Sequence, residues 1–377
     1  MKFSLQDLSN LKIGILGGGQ LGWMMILECR RYPYKFYVMA HPDAPACIIA
    51  DKCFDVDSYR EMIDLSDIVT YEFEYLPMKA LEYAEDKGKL IPRLETVILK
   101  HERWREREFY KKHGIPTPRF YITTDAAEVL SLVKNEFNYE AVIKQSKGGY
   151  DGKGQYFIKS REDLEKQLNF ITKLSDTLIV EEFIDFDYEA SIVIARDAKG
   201  VVEAYPPTYN RNEKGILIYN YGPLNNKALS NKITEIAVTI ATKLNYVGVM
   251  AVEFFIKNGD ILINELAPRV HNTGHYTLDA ANVSQFEQHI RAIVGLELAK
   301  TMILSYGGMV NVLSLSLDRI PLEVLRYGKL YWYGKNEVKR RRKMGHINIV
   351  GYTLDEVVDK VDTVVKLLYP DGVSLYL

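Results

Sequence analysis

The 377-residue sequence has no apolar run approaching the roughly 18–20 residues that cross a bilayer. Its opening stretch, MKFSLQDLSNLK, carries no apolar secretory core. Cysteine is scarce, with three residues at Cys29, Cys47 and Cys53. So odd and sparse a set argues against a disulfide framework or a cysteine-rich metal site, and leaves only a Cys47–Cys53 bridge open. Neither charge dominates: 48 Lys and Arg stand against 50 Asp and Glu, a formal net charge of −2. That excludes the global basic field of a nucleic-acid binder. Repeats and low-complexity segments are missing too. These absences predict a cytoplasmic protein without membrane or nucleic-acid partners. What remains is an ordinary globular composition, 47% hydrophobic and 26% charged, on a chain long enough for two or three domains with real cores.

The first ninety or so residues read as βαβ units around a parallel sheet: LKIGILG, then a helix through LGWMMILECRRY, then the strands KFYVMA and DIVTYEF. TVILKHERWREREFYKKHG (96–114) reads as one charged amphipathic helix, with Thr96 as N-cap and Gly114 just past its end. IPTP then forces an extended exit. EAVIKQS and YFIKS read as a hairpin with a glycine-rich tip, followed by a helix near 161–173 and the strand TLIVEEFI. Together they form a small α+β module the size of a lid. Antiparallel strands follow, turning at Ala198-Lys199-Gly200. Then come a helix over about 230–244, a hairpin turning at Asn258-Gly259-Asp260, a helix over 284–295 and a final helix near 354–368.

Gly17, Gly19 and Gly22 satisfy G-x-G-x-x-G after the first strand. The second strand, however, ends in His41 and Pro42, where a dinucleotide site needs an acid for the ribose. The glycines therefore serve either a tight turn or a helix N-terminus that holds a substrate phosphate. A second stretch, KGGYDGKGQ, joins two strands and so is not a Walker A loop. Such a tip can bend over a polyphosphate and offer it backbone N–H groups, with Lys144 in reach. Its alternative is a flexible surface hairpin. Glu253 and Glu265 sit in the apolar strands AVEFF and LINEL. With Asn258-Gly259-Asp260 as a three-residue loop they face each other across the hairpin. The repulsion between facing carboxylates invites a hard cation such as Mg²⁺. Arg269, His271, Asn272 and His275 crowd the following loop. Pro and Gly interruptions disfavour a helical zinc pair, and anion binding by Arg269 is the simpler reading. KRRRK (339–343) reads as a solvated face or a sugar-phosphate contact.

The succession GGGQLG, GGYDGKGQ, VGVMAVEFF, INELAPRVHNTGH, SQFEQHIRAI and RKMGH resembles the ATP-grasp superfamily, and within it the N5-carboxyaminoimidazole ribonucleotide synthetase family, over nearly the whole chain. The resemblance implies an α/β and α+β fold in parts. Residues 1–95 would be a Rossmann-like, doubly wound parallel-sheet domain and 96–116 a connecting helix. Residues 117–184 would be the lid, and 185–377 a C-terminal antiparallel-sheet domain with a small subdomain from about 300. It implies a ligase of purine biosynthesis that carboxylates aminoimidazole ribonucleotide with ATP, Mg²⁺ and bicarbonate through carboxyphosphate, as a homodimer. ATP would be held by Arg103, Lys144, Gly149, Gly152, Glu181, Phe183, Glu189 and Asn264, and the metal by Glu253 and Glu265. The ribonucleotide would meet Gly19, Gln20, Leu21, Glu72, Tyr150, Asp151, Lys153, Arg269, His271, Lys335, Arg342 and Lys343. Catalysis would fall to Lys144, Tyr150, Asp151, Lys153 and Arg269, with Asp151 positioning the amine or accepting its proton.

Several positions depart from that pattern. Trp23 replaces an arginine, Arg107 a common lysine and Thr273 a serine, while Arg340 and Arg341 displace a Pro-Gly turn and put that loop's shape in question. The rival readings are a dinucleotide-dependent oxidoreductase, which leaves Glu253, Glu265 and the second glycine loop without a role, and a non-catalytic ATP-binding regulator. The expected metal carboxylates and phosphate lysine argue against the latter.

Overall fold

The computed structural model describes residues 8–147, 154–171 and 176–377. In the first part, β1 (Lys12–Leu16), β2 (Lys35–Met39), β3 (Lys52–Phe54) and β4 (Ile68–Tyr71) alternate with α1 (Gln20–Cys29), α2 (Pro45–Ile49), α3 (Tyr59–Leu65) and α4 (Met78–Asp86). The strands form a parallel sheet in the order β3-β2-β1-β4. Apolar side chains fill both of its faces, as a helix-covered parallel sheet requires.

The single charged helix expected over 96–114 is two helices, α5 (Leu94–His101) and α6 (Arg103–Lys112). The chain breaks at Glu102, with φ −114° and ψ 86°. Neither proline nor glycine marks this break. It is held by a tertiary bond, the Arg103 N–H donating to the Ser146 carbonyl at 3.1 Å. Thr96 lies inside α5 and is not its cap: its hydroxyl donates to Arg93 O at 2.7 Å. Gly114 does follow α6 in the left-handed region, at φ 64°.

Next come β5 (Phe120–Thr123), α7 (Ala126–Asn135), β6 (Ala141–Gln145), β7 (Gln155–Ile158), α8 (Arg161–Ile171) and β8 (Leu178–Glu182), with an antiparallel sheet ordered β5-β8-β6-β7. The remainder holds β9 (Tyr188–Arg196), β10 (Val202–Ala204), β11 (Thr208–Glu213), β12 (Ile216–Gly222), α9 (Lys227–Lys243), β13 (Gly248–Lys257), β14 (Asp260–Ala267), α10 (Thr277–Ala280), α11 (Gln285–Ile293), β15 (Tyr306–Leu313), β16 (Lys329–Trp332), β17 (Lys343–Gly351) and α12 (Leu354–Leu368). These strands make one antiparallel sheet, β14-β13-β9-β11-β12-β15-β17-β16, with β10 on β9. Side-chain caps start three of its helices: Asn226 for α9, Ser284 for α11 and Thr353 for α12.

One core joins the parallel and the large antiparallel sheets. Met25 of α1, Phe286 and Ile290 of α11, and Val249 and Ala251 of β13 belong to it. Helix α11 is thus packed between α1 and the large sheet. Among the described residues no helix is long and apolar enough to span a membrane. The sparse cysteines do form one bridge, Cys47–Cys53, tying α2 to β3, while Cys29 is free and buried.

Candidate active site

A basic cluster forms where β6, β8 and α6 meet. Lys144 Nζ lies 2.7 Å from Glu181 Oε2. Arg107 reaches the same carboxylate, Nε donating to Oε1 at 2.6 Å and Nη2 to Oε2 at 3.4 Å. All three side chains are buried. Burial opposes the charge on Glu181, but Arg107 and Lys144 overcome it and hold the carboxyl down to about 2. Burial also pulls the Lys144 ammonium below the ordinary lysine value, against the attraction of Glu181. Arg103 stands beside them, its Nη1 donating to Gln145 O at 3.2 Å. Phe183 follows β8, with Lys159 Nζ 4.3 Å from its ring centroid.

An acidic cluster faces out of β9, β13 and β14. Glu253 is indeed opposite Glu265, though the turn is one residue shorter than expected. Asn258 and Gly259, at φ 51° and 82°, make a two-residue turn that pairs Lys257 with Asp260. That register alone would set Glu253 against Asn264. A β-bulge after Ile263 inserts Asn264 as the extra residue and restores the carboxylate pair. Arg107 Nη2 donates to the bulge carbonyl, Asn264 O, at 2.8 Å. Glu189 pairs with Phe255 on the neighbouring strand, two residues from Glu253 and on the same face. Asn212 Nδ2 donates to Glu189 Oε2 at 2.9 Å.

These acids ionise differently. Burial, then the charges of Glu265 and Glu189, push the Glu253 carboxyl above the ordinary range. Glu265 goes the other way. Loss of water opposes its charge, but Lys100 Nζ, 2.6 Å from Oε2, holds it low. Lys100 also lies 3.6 Å from Glu106 Oε2. Its burial disfavours the ammonium, and the two glutamates more than reverse that. Sequence reasoning missed Lys100 and Glu106, because both look like the solvated face of one long helix. Among the described residues no group of three or more His, Cys, Asp or Glu side chains is arranged as a metal site.

The third cluster gathers around Glu72, just after β4. Its Oε1 accepts the Gly19 N–H and its Oε2 the Gly22 N–H, the latter at 3.0 Å. A Cβ at Gly17 or Gly19 would come within 2.7 and 2.6 Å of Glu72 atoms, which is why this turn needs glycine. Two N–H groups at the start of α1 are therefore engaged by the protein's own carboxylate. Burial raises the Glu72 pKa against these bonds and against the charges of Lys335 and Arg269. Gln20 and Leu21 open α1, with Leu21 buried in the core.

Arg269 forks onto Glu74 through Nε and Nη2, the latter at 3.2 Å from Oε1. His271 Nδ1 sits 3.0 Å from Thr273 Oγ1 and 3.7 Å from Glu253 Oε1. Burial and Arg269 keep this imidazole neutral, its pKa well below the ordinary histidine value. His275 turns elsewhere, its ring centroid 4.7 Å from that of His346. The two histidines do not converge. Lys335 Nζ donates to Lys343 O at 2.7 Å, and the Lys343 charge acts on both His271 and Glu253. Arg342 bonds Glu337 O at 2.8 Å. Arg341, where the resemblance expects glycine, takes the left-handed conformation at φ 69°, its N–H donating to Ser314 Oγ at 2.7 Å. Gly149, Tyr150, Asp151, Gly152 and Lys153 lie outside the described residues.

Comparison with known proteins places this geometry in context. Residues 11–100 match the ribonucleotide synthetase preATP-grasp domain, residues 108–286 the ATP-grasp domain, and residues 308–360 the phosphoribosylaminoimidazole carboxylase C-terminal domain. The chain is 58% identical over 365 residues to N5-carboxyaminoimidazole ribonucleotide synthase of Saccharolobus solfataricus, covering 97% of this chain and 98% of that one. It is 47% identical over 363 residues to the Aquifex aeolicus protein of the same name, covering 95% and 97%. An ADP complex of an N5-carboxyaminoimidazole ribonucleotide synthetase superposes with a TM-score of 0.89 at 34% identity, over 95% of this chain and 97% of the other. An Aspergillus clavatus N5-carboxyaminoimidazole synthase in complex with ADP and 5-aminoimidazole ribonucleotide superposes with a TM-score of 0.87 at 25% identity, over 96% and 100%.

Proposed function

This chain belongs to the N5-carboxyaminoimidazole ribonucleotide synthase family of ATP-grasp ligases in purine biosynthesis, and on that premise we propose how its residues divide the reaction. A bicarbonate oxygen attacks the γ-phosphorus of ATP, ADP leaves, and carboxyphosphate forms. The exocyclic amine of 5-aminoimidazole ribonucleotide then takes the carboxyl group, losing a proton as inorganic phosphate departs. Phosphoryl transfer of this kind asks for positioning and charge neutralisation more than for covalent help.

Arg103, Lys144 and Arg107 form the cationic wall against the triphosphate, with Glu181 holding Lys144 and Arg107 in place. The segment Glu181–Phe183 flanks the adenine, and Glu189 the ribose. Glu253 and Glu265 would hold Mg²⁺, which would supply positive charge to offset that of the phosphoryl group in transfer. Their fit rests on the donor set: two facing carboxylates, one of them pushed towards its neutral form by burial and by the charge of the other, favour a hard cation. Two protein carboxylates suit a metal that also takes phosphate oxygens and water.

On the ribonucleotide side, Gly19, Gln20, Leu21 and Glu72 come from the parallel-sheet domain. Arg269, His271, Lys335, Arg342 and Lys343 come from the C-terminal domain, and Tyr150, Asp151 and Lys153 from the glycine loop. Residues 117–184 act as the lid over the nucleotide, which would keep water from carboxyphosphate. The protein works as a cytoplasmic homodimer.

The observation that carries this reading is the facing pair Glu253–Glu265 beside the buried Lys144–Glu181–Arg107 cluster. The test is ADP release by purified protein with Mg-ATP and bicarbonate, with and without aminoimidazole ribonucleotide. Strong stimulation by the ribonucleotide that vanishes without bicarbonate is expected. ADP release indifferent to the ribonucleotide would overturn the acceptor assignment.

A further inference from the structure

The motif SQFEQHIRAI folds as α11, and no role proposed so far uses it. Three of its polar side chains, Gln285, Gln288 and His289, are fully buried. A buried carboxamide must satisfy both ends or cost stability. Gln285 does so on the backbone of one residue. Its Oε1 accepts the His271 N–H at 2.8 Å, and its Nε2 donates to the His271 carbonyl at 2.6 Å. The same Nε2 lies 3.2 Å from His275 Nδ1. The amide is itself wedged: a Cβ at Gly274 would fall 2.6 Å from Gln285 Cδ. The loop after β14 is therefore docked on α11 through a two-bond pairing centred on His271. His271 carries its ring between Thr273 and Glu253.

We propose that Gln285 is a positioning residue for the ribonucleotide site, setting where the His271 imidazole stands. It touches no substrate. It acts through the backbone of His271, and so rests on the reading of His271 as a ribonucleotide contact. The same helix supplies a built-in comparison. Gln288 is equally buried and makes the same two-bond pairing, with Nε2 to Ala299 O at 2.7 Å and the Ala299 N–H to Oε1 at 3.0 Å. Ala299 lies in the segment after α11 and carries no proposed ligand contact.

The experiment measures melting temperature and KM for both substrates in Gln285→Met, Gln288→Met, His271→Ala and the Gln285→Met/His271→Ala pair. Both methionine variants lower the melting temperature. Only Gln285→Met raises KM for the ribonucleotide, by about tenfold to a hundredfold as expected for a misplaced contact, with KM for ATP within about twofold. In the His271→Ala background Gln285→Met adds little. Equal KM effects from Gln285→Met and Gln288→Met would overturn the proposal as mere structural loss. If His271→Ala raises KM and Gln285→Met does not, the positioning role alone falls. If His271→Ala leaves KM unchanged, the reading of His271 falls and takes the proposal with it. Should Gln285→Met not fold, Gln285→Glu serves. It keeps the acceptor for the His271 N–H but sets a second acceptor against the His271 carbonyl, and the same KM shift is expected.

Discussion

The two sides of the proposed nucleotide site solve opposite problems. Around β6 and β8, three cationic side chains gather near one carboxylate, and Glu181, Lys144 and Arg107 are buried in mutual contact. Around β13 and β14 the balance reverses: Lys100 pairs with Glu265 and with Glu106 of α6, while Glu253 stands opposite Glu265 and near Glu189 of β9 with no ammonium in ion-pair contact among the described residues. The basic side is prearranged before any ligand arrives and keeps an excess of positive charge, since Arg107 and Lys144 share the single Glu181 carboxylate. The acidic side keeps Glu253 at odds with its neighbours. An anion therefore meets a prearranged wall on one side, while on the other the interaction energy is realised only when a cation arrives with it. Preorganised positive charge and deferred neutralisation of negative charge are both useful to phosphoryl transfer.

The sharpest way to break this contrast is Glu265→Gln. The amide can still accept a bond from Lys100, so the fold is kept while a metal carboxylate is lost. ADP formation should fall about a hundredfold to a thousandfold. A loss below tenfold would sink the acidic side's assignment.

A smaller effect probes the basic side by pH. The Glu181 carboxyl is lowered from 4.5 to about 2 on folding. Its contribution is therefore fully present above pH 4.5 and is lost as the pH falls towards 2. The size is about 3 kcal/mol. Urea unfolding at stepped pH should show that slope in the wild type. Glu181→Gln should be less stable by about 3–5 kcal/mol at pH 7, because Arg107 and Lys144 lose their anion. The gap should close as the pH drops through this window. A constant gap would show that the carboxylate's charge is not what holds the cluster.

The smallest effect belongs to the link between the two sides. Arg107 bonds both Glu181 and the Asn264 carbonyl. Arg107→Lys keeps the charge and loses part of the fork, costing about 1 kcal/mol of stability and less than tenfold in KM for ATP. A larger rise in KM would mean that the fork, rather than the charge, shapes the nucleotide wall.

Much of this arrangement could be read from the residues alone, though not always for the right reason. The Glu253–Glu265 pair follows from a three-residue hairpin loop that does not exist. A tighter turn and a bulge at Asn264 give the same facing carboxylates. No glycine marks the bulge, and its partner Arg107 is 157 residues away, so nothing local could have revealed it. Lys100 escaped notice for a related reason. Charged residues on a helix normally face water, and only the packing of α5 against the large sheet turns this one inward. The parallel sheet, the small α+β module and the helices α11 and α12 were legible, because strand and helix periodicity are local signals. The Cys47–Cys53 bridge was not, because composition speaks to frameworks and says little about one isolated pair.

Glu72 carries a lesson for reading other chains. Its carboxylate fills the glycine turn from a strand more than fifty positions downstream, engaging the same backbone donors that a pyrophosphate would take. A turn of this kind brings its own anion. When three spaced glycines open a helix, the residue at the end of the adjoining parallel strand is therefore worth inspecting before a cofactor is inferred. An acid there converts the pattern from a vacancy for a diphosphate into an internal lock between two strands.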